Sequence, residues 1–485
     1  MSTPGTDHSV VVIGAGQAGL SVSYYLARLG LEPGAEFVVL DRGPGPGGAW
    51  QLRWDALRIG SAHRINDLPG MDELGLSFET ADRRAPAKDV VADYYARYEE
   101  HYRVPVLRPA TVTRVERDDE RLAVVYERGG ASHRATTDVV INATGTWGAP
   151  FIPWYPGMRE FRGRQVHTVE YRDAAEFAGQ DVIVVGGGTS AIGFLLELEP
   201  VAGRLTWVSR RPIDFREDGE LNLEARRSAV DQQDEAARAG KALPSIVSGT
   251  GVPRTRRIQA GIERGVLLAR PMFSSIEPDG VRWDNGAFLR ADAILWATGF
   301  RPELRHLAPL RLREREGGVV VAAGTSWREP RVFFAGYGPQ ASTIGANRAG
   351  RTIARQAIAT LSRLSRARQA VSVDYFEVTA PARPALAETA PAGTAGAEAA
   401  GAAEQVSPLE WMFGPGPTAG PDPTPAPGRT EPGAAPREGA SAAPADDPRD
   451  DGSAPRSATD PATDPVTDDL FESFFLDPPT EGGTR

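Results

Sequence analysis

Short apolar runs that break into glycine or into a charged residue recur along the first 380 residues. Residues 10–13, 37–40 and 182–185 are runs of this kind, rich in valine, and 205–208, Leu-Thr-Trp-Val, reads as a further strand. Unbroken apolar character over four or so positions predicts strands buried on both faces, as in a parallel sheet. Between these runs the period changes. Residues 17–29 follow the first run with helical spacing, and Gly30 supplies a stop. Residues 87–102 place apolar and aromatic side chains at helical spacing, and 221–240 form a polar helical stretch rich in Arg and Glu. Residues 111–140 alternate around a Gly-Gly turn signal, which predicts an antiparallel meander. A run from 331 ends in Gly336 and Gly338, with a helix expected over about 345–362 as the chain returns to its first domain. Strands and helices in this order predict an α/β fold.

Two runs lead into glycine turns of the same type. Gly14, Gly16 and Gly19 give G-x-G-x-x-G, which combines a tight turn, close approach of a pyrophosphate to the main chain, and close packing of the next helix. That helix aims its free N–H groups at the phosphates. The next strand ends in Asp41, about 20 residues on, where an acid takes ribose hydroxyls. The second turn has Gly186 and Gly188, with Ala191 in the third position and Ser190 before it. Its following strand ends in Ser209, Arg210 and Arg211. Guanidinium groups hold a 2′-phosphate that a carboxylate would repel, so NADPH is expected here in preference to NADH. Two dinucleotide sites in one chain imply a flavin and a nicotinamide that exchange electrons.

Two further apolar strands end in Ala-Thr-Gly, at 143–145 and 297–299, one after each fingerprint. Thr144, Gly145, Thr298 and Gly299 are therefore expected beside the nucleotides. The plan is two Rossmann-like dinucleotide-binding domains, with FAD-domain segments at 8–155 and 301–370 around an NADPH domain at 156–300. Residues 381–485 hold 19 of the 40 prolines and 18 acidic residues against six Arg. Such a segment buries too little apolar surface to offset its ordering entropy and is expected to be disordered. Apolar clusters beside acids at 407–414 and 468–479 resemble docking motifs, which predicts a protein partner for the tail. The chain carries −10 overall, so the remainder is near neutral. No basic stripe suggests nucleic acid. No apolar run approaches a membrane span and no signal segment opens the chain, so a cytoplasmic protein is expected. There is no cysteine, which excludes disulfide exchange and thiolate metal sites.

Residues 161–171, Phe-Arg-Gly-Arg-Gln-Val-His-Thr-Val-Glu-Tyr, fit F-x-G-x-x-x-H-x-x-x-Y through Phe161, Gly163, His167 and Tyr171. With the Gly47-Gly48-Ala49-Trp50 segment before it and Trp-Ala-Thr-Gly-Phe at 296–300 after it, the chain over about 8–365 resembles the flavin-containing monooxygenases. Related Baeyer–Villiger enzymes usually have Trp in place of Tyr171. Segments such as 47–59, 142–147, 167–172, 208–212 and 336–343 are similar to bacterial arsenic-resistance monooxygenases of the ArsO type. The resemblance implies FAD reduced by NADPH, a flavin C4a-(hydro)peroxide formed with dioxygen, and transfer of one oxygen atom to a soft nucleophilic N, S or As of a small substrate. It places Gly48, Trp50 and Gly336 at the flavin and the signature near the domain junction. His167 is its one side chain that titrates near neutrality, with a packing role as the alternative. Tyr171, Ser61, His63 and Asn66 are further candidates, and Trp50 and Trp54 either wall the flavin or belong to the core. Baeyer–Villiger insertion, and a weakly catalytic nucleotide-binding scaffold acting through the tail, remain as the other readings.

Overall fold

The computed structural model describes residues 6–62, 65–216, 223–244, 251–341 and 343–379. His63 and the whole of 380–485, with the two aromatic clusters, lie outside the described residues. The fingerprint at 10–20 folds as read. Strand β1 (Thr6–Ile13) is followed by helix α1 (Gln17–Arg28) and strand β2 (Phe37–Leu40). Helix α2 (Ala87–His101) precedes β3 (Val106–Leu107). The alternating segment becomes β4 (Thr111–Asp118), β5 (Arg121–Arg128) and β6 (Ala131–Asn142), with Gly129 and Gly130 both at positive φ in the turn. β4, β5 and β6 pair antiparallel, yet β6 also runs parallel to β1. The meander is thus an arm of a nine-stranded sheet whose centre is parallel.

Val10, Val11 and Val12 have no exposed surface, as expected for a central strand. Burying each such side chain contributes about 1.5–3 kcal/mol. The chain returns to this sheet through Val332–Phe334, parallel to β6. The helix Thr343–Thr379 then packs on α1, running well past the length read from sequence. Small residues permit the close approach. A Cβ at Gly350 would stand 2.2 Å from the Ser21 hydroxyl, and Ala346, Ala349, Ala354 and Ala357 are buried beside it.

A second sheet carries the second fingerprint. Its strands are β7 (Arg164–His167), β8 (Asp181–Val185), β9 (Arg204–Val208), Ala269–Arg270 and Ala293–Trp296. All pairings in it are parallel, in the order Ala269–Arg270, β9, β8, Ala293–Trp296, β7. Helix α3 (Thr189–Leu198) follows β8, and the polar stretch forms the helix Leu223–Arg238. The two chain crossings between the sheets run side by side. Phe151 donates its N–H to the Gly299 carbonyl at 3.0 Å, and Arg301 to that of Ala149 at 2.8 Å. Among the described residues, no helix is long and apolar enough to cross a membrane.

Candidate functional site

Both fingerprint helices begin at glycine, Gly16 for α1 and Gly188 for α3, and neither start is capped by a side chain. Their first-turn N–H groups are therefore left to an external acceptor. Gly14, at φ +104°, turns the chain against the first Ala-Thr-Gly, where a Cβ would lie 2.6 Å from the Ala143 carbonyl. Gly19 lies against the Gly14 carbonyl, and a Cβ at Gly48 would stand 2.8 Å from Gly16 Cα. The Gly47-Gly48 turn thus closes on the first fingerprint from the far side. Trp50, two residues on, is buried. At Gly336 a Cβ would meet Ala18 of α1 at 3.3 Å, so the returning strand ends over the same helix start.

Asp41 ends β2 with one oxygen aimed at the fingerprint. Ala15 N–H lies 3.4 Å from Oδ1, while Oδ2 accepts from Arg108 Nε at 2.8 Å. Arg108 places its other nitrogens on Glu99 at 2.8 and 2.9 Å. These three side chains keep 12 % exposure or less. Arg108 therefore fixes one carboxylate oxygen of Asp41 and leaves the other facing the turn. Sequence reading missed this residue, which lies 67 positions away with no periodic signal.

In the second half, Gly186 (φ +144°) turns against the Ala297 carbonyl of the second Ala-Thr-Gly, as Gly14 does against the first. Ala191 is fully buried and Ser190 half-buried at the start of α3. Ser209 is buried, its hydroxyl donating to the Arg211 carbonyl at 2.8 Å. Arg210 and Arg211 project beyond it, exposed, and make no ion pair among the described residues. Thr298 donates to the Phe151 carbonyl and Thr144 to that of Glu303 at 2.8 Å, so each Ala-Thr-Gly is tied to the opposite crossing. Gly145 and Gly299 both sit at positive φ.

Beneath the first Ala-Thr-Gly, Asn142 Oδ1 lies 2.7 Å from His306 Nε2, a buried pair that sequence reading also missed. Burial brings the His306 imidazole down from 6.5 to about 4. Its neutral form is the one the fold accommodates. The stability this contributes is complete above pH 6.5 and is lost as pH falls toward 4. We expect His306→Asn to flatten the unfolding free energy over that window relative to the parent, measured by urea titration at stepped pH.

The signature segment divides its roles. His167 ends β7, buried, with Nε2 3.0 Å from the Gly299 carbonyl and Nδ1 accepting from Val169 N–H at 3.3 Å. Both ring nitrogens are thus engaged, and burial lowers its pKa. The imidazole braces the second Ala-Thr-Gly turn. Tyr171 points into the core of the second sheet, stacked on Phe177 and packed on Phe194. Its hydroxyl donates to Glu197 Oε1 at 2.9 Å, and Trp54 Nε1 donates to Oε2 at 3.1 Å. Glu197, on α3, therefore joins the signature to the loop after Trp50. Glu197→Ala strands both donors and is expected to lower stability by about 2–6 kcal/mol, at about 1–3 kcal/mol per stranded group. Glu197→Gln, which keeps an acceptor, is expected to cost less than half of that in the same urea titration.

Ser61 is exposed and, among the described residues, bonds locally to Arg58, whose carbonyl accepts from it at 3.2 Å. Asn66 is half-buried, and its carbonyl accepts from Gln17 Nε2 at 2.8 Å. Gln17, the first residue of α1, also bonds Asn347 at 3.0 Å and accepts from Tyr95. The Asn66 loop is thereby anchored to the fingerprint helix, while Ser61 is not brought to it. Among the described residues there is no cluster of metal ligands.

Comparison with known proteins places the chain in a family. The model of the pyridine nucleotide-disulphide oxidoreductase family matches residues 11–238. A flavin-containing monooxygenase from Stenotrophomonas maltophilia superposes with a TM-score of 0.61 at 34% identity, covering 73% of this chain and 99% of that one. The uncharacterized oxidoreductase CzcO of Bacillus velezensis is 25% identical over 340 residues, 67% of this chain and 91% of its own length. The trimethylamine monooxygenase of Pelagibacter ubique is 29% identical over 233 residues, 43% of this chain and 52% of its own. The chain belongs to the flavin-containing monooxygenase family, oxidoreductases that use FAD and NAD(P)H.

Proposed function

We propose that this protein is an FAD- and NADPH-dependent monooxygenase that places one atom of dioxygen on a soft nucleophilic heteroatom, N, S or As, of a small substrate. The observation that carries the reading is the repeated cradle. In each sheet a parallel strand ends in a glycine turn beside an uncapped helix start, and each turn abuts an Ala-Thr-Gly. At the first, Gly14, Gly16, Gly19 and Gly48 would admit the FAD pyrophosphate and Asp41 its ribose, with Trp50, Thr144, Gly145 and Gly336 around it. At the second, Gly186, Gly188, Ser190 and Ala191 would take NADPH, with Ser209, Arg210 and Arg211 toward its 2′-phosphate and Thr298 and Gly299 behind it. Bound flavin supplies the redox and oxygen chemistry; the chain binds, orients and excludes water.

The paired crossings at 149–151 and 299–301 hold the two cradles in one frame, and His167 braces the second turn from beneath. The trimethylamine monooxygenase relative supports a heteroatom acceptor. Tyr171 in the signature favours this over insertion beside a ketone. The test is incubation with NADPH and 18O-labelled dioxygen, in parallel with a thioether, a tertiary amine, arsenite and a cyclic ketone. Label in a sulfoxide, N-oxide or arsenate supports the reading. Label appearing only in a lactone makes the enzyme a Baeyer–Villiger monooxygenase instead.

A further inference from the structure

Arg53 is a cation for which the described chain supplies no counter-ion. It follows the short helical turn Gly48–Leu52. Its guanidinium carbon lies 4.1 Å from the ring centre of Trp147 and 5.5 Å from that of Trp50. Its Nε–H is buried and meets no acceptor among the described residues. No carboxylate among the described residues pairs with it. Arg108 and Arg331 are enclosed too, but carboxylates saturate them, Asp41 and Glu99 for the first and Glu329 for the second; Arg121, whose Nε–H also lacks a hydrogen bond, is ion-paired with Asp7 and Asp138. Two indole faces offset only part of the cost of desolvating a guanidinium. Burial draws its pKa down to about 10, so it stays charged at neutral pH.

Its location narrows what the missing partner is. Trp147 lies two residues past Gly145 and stacks on Phe300, which directly follows Gly299, with ring centres 5.0 Å apart. His167 meets the same Phe300 edge-on at 5.2 Å. Trp50 lies two residues past Gly48, which closes on Gly16. The cation therefore stands where the first fingerprint and both Ala-Thr-Gly turns converge. Held against two indole rings, a guanidinium presents a planar fork of donors that matches a carboxylate or a phosphate.

We propose that Arg53 binds an oxyanion, a carboxylate or a phosphate, carried by a molecule held at the junction of the two nucleotide turns. The inference rests on the proposed function for the identity of that junction and deepens it. If the oxyanion is the substrate's, the enzyme selects anionic soft nucleophiles over neutral ones. If it is a nucleotide's, Arg53 is a cofactor anchor.

The test uses the full-length, flavin-loaded protein with Arg53→Met and Arg53→Lys. The probes are NADP+ and 4-(methylthio)benzoate, with methyl phenyl sulfide as the same thioether lacking the carboxylate. Affinities are read from tryptophan fluorescence of the oxidised protein, so no turnover is needed. We expect Arg53→Met to weaken one of the anions at least tenfold, with Arg53→Lys intermediate. A loss confined to 4-(methylthio)benzoate assigns the oxyanion to the substrate. A loss of NADP+ affinity, or of FAD retention, assigns it to a nucleotide. Unchanged affinity for both anions with flavin retained overturns the proposal, even if thermal stability falls, because Arg53 then only cements the two tryptophans. A parent protein that binds an anion through Arg53 but oxidises no NADPH would count against the proposed function alone.

Discussion

Gly16→Ala is expected to give a folded protein that has lost its flavin. The side chain added there meets only Gly48 Cα, at 4.0 Å, which is ordinary contact, and the backbone is in a region open to alanine. The protein itself therefore has room for the methyl group. On the proposed function, the space it fills is the one the flavin phosphates need to reach the helix start. Flavin affinity should fall at least 100-fold, about 2.7 kcal/mol, while circular dichroism and the unfolding midpoint in the apo state stay near those of the parent apoprotein. Gly19→Ala is the contrasting control. Its Cβ would lie 1.9 Å from the Gly14 carbonyl, so the turn itself must move and stability should drop with the flavin. Gly188→Ala repeats the first logic in the second sheet, where a Cβ meets nothing within 4 Å. That variant should keep its flavin and lose affinity for the nicotinamide nucleotide. Flavin content by absorbance and NADP+ binding by calorimetry separate the cases.

Replacing Arg210 and Arg211 together by Ser should raise the KM for NADPH by about 10–100-fold and leave the KM for NADH within about twofold. Each charge-assisted contact to a phosphate contributes about 1.5–3 kcal/mol when enclosed, and less at an exposed position. Both arginines are exposed and no carboxylate among the described residues competes for them, so the lower end of that range is the reasonable expectation. Steady-state kinetics with both nucleotides checks it. Equal losses for NADPH and NADH would show that the two side chains support the fold of the turn after β9 rather than read the 2′-phosphate.

What was legible in the sequence is what backbone geometry demands. A strand that must turn sharply and let a phosphate approach leaves its glycines in order, and Gly14, Gly16, Gly19, Gly186 and Gly188 fall where that order puts them. The β-branched runs became central strands because nothing else buries both faces of such a run. The meander was legible from alternation alone, though its attachment to the first sheet through the parallel β1–β6 pairing was not. Side-chain partnerships were the unreadable part. Asp41 carried its meaning in its position, but Arg108 and Glu99, which hold it, have no spacing that announces them. The signature marked Tyr171 without saying which way it points, and it points into the core, onto Glu197. Arg53 looked like one more arginine in a chain rich in them, and the two indoles together with the lack of a carboxylate partner among the described residues set it apart.

The central claim is that one chain holds flavin and NADPH so that oxygen is activated rather than merely reduced. Stopped-flow absorbance tests it without knowing the substrate. The purified protein is reduced anaerobically with NADPH and then mixed with oxygenated buffer. The account predicts flavin reduction followed by a transient spectrum, distinct from both reduced and oxidised flavin, that persists for seconds before the oxidised form returns. Direct single-step return to oxidised flavin, with stoichiometric release of hydrogen peroxide, would contradict it.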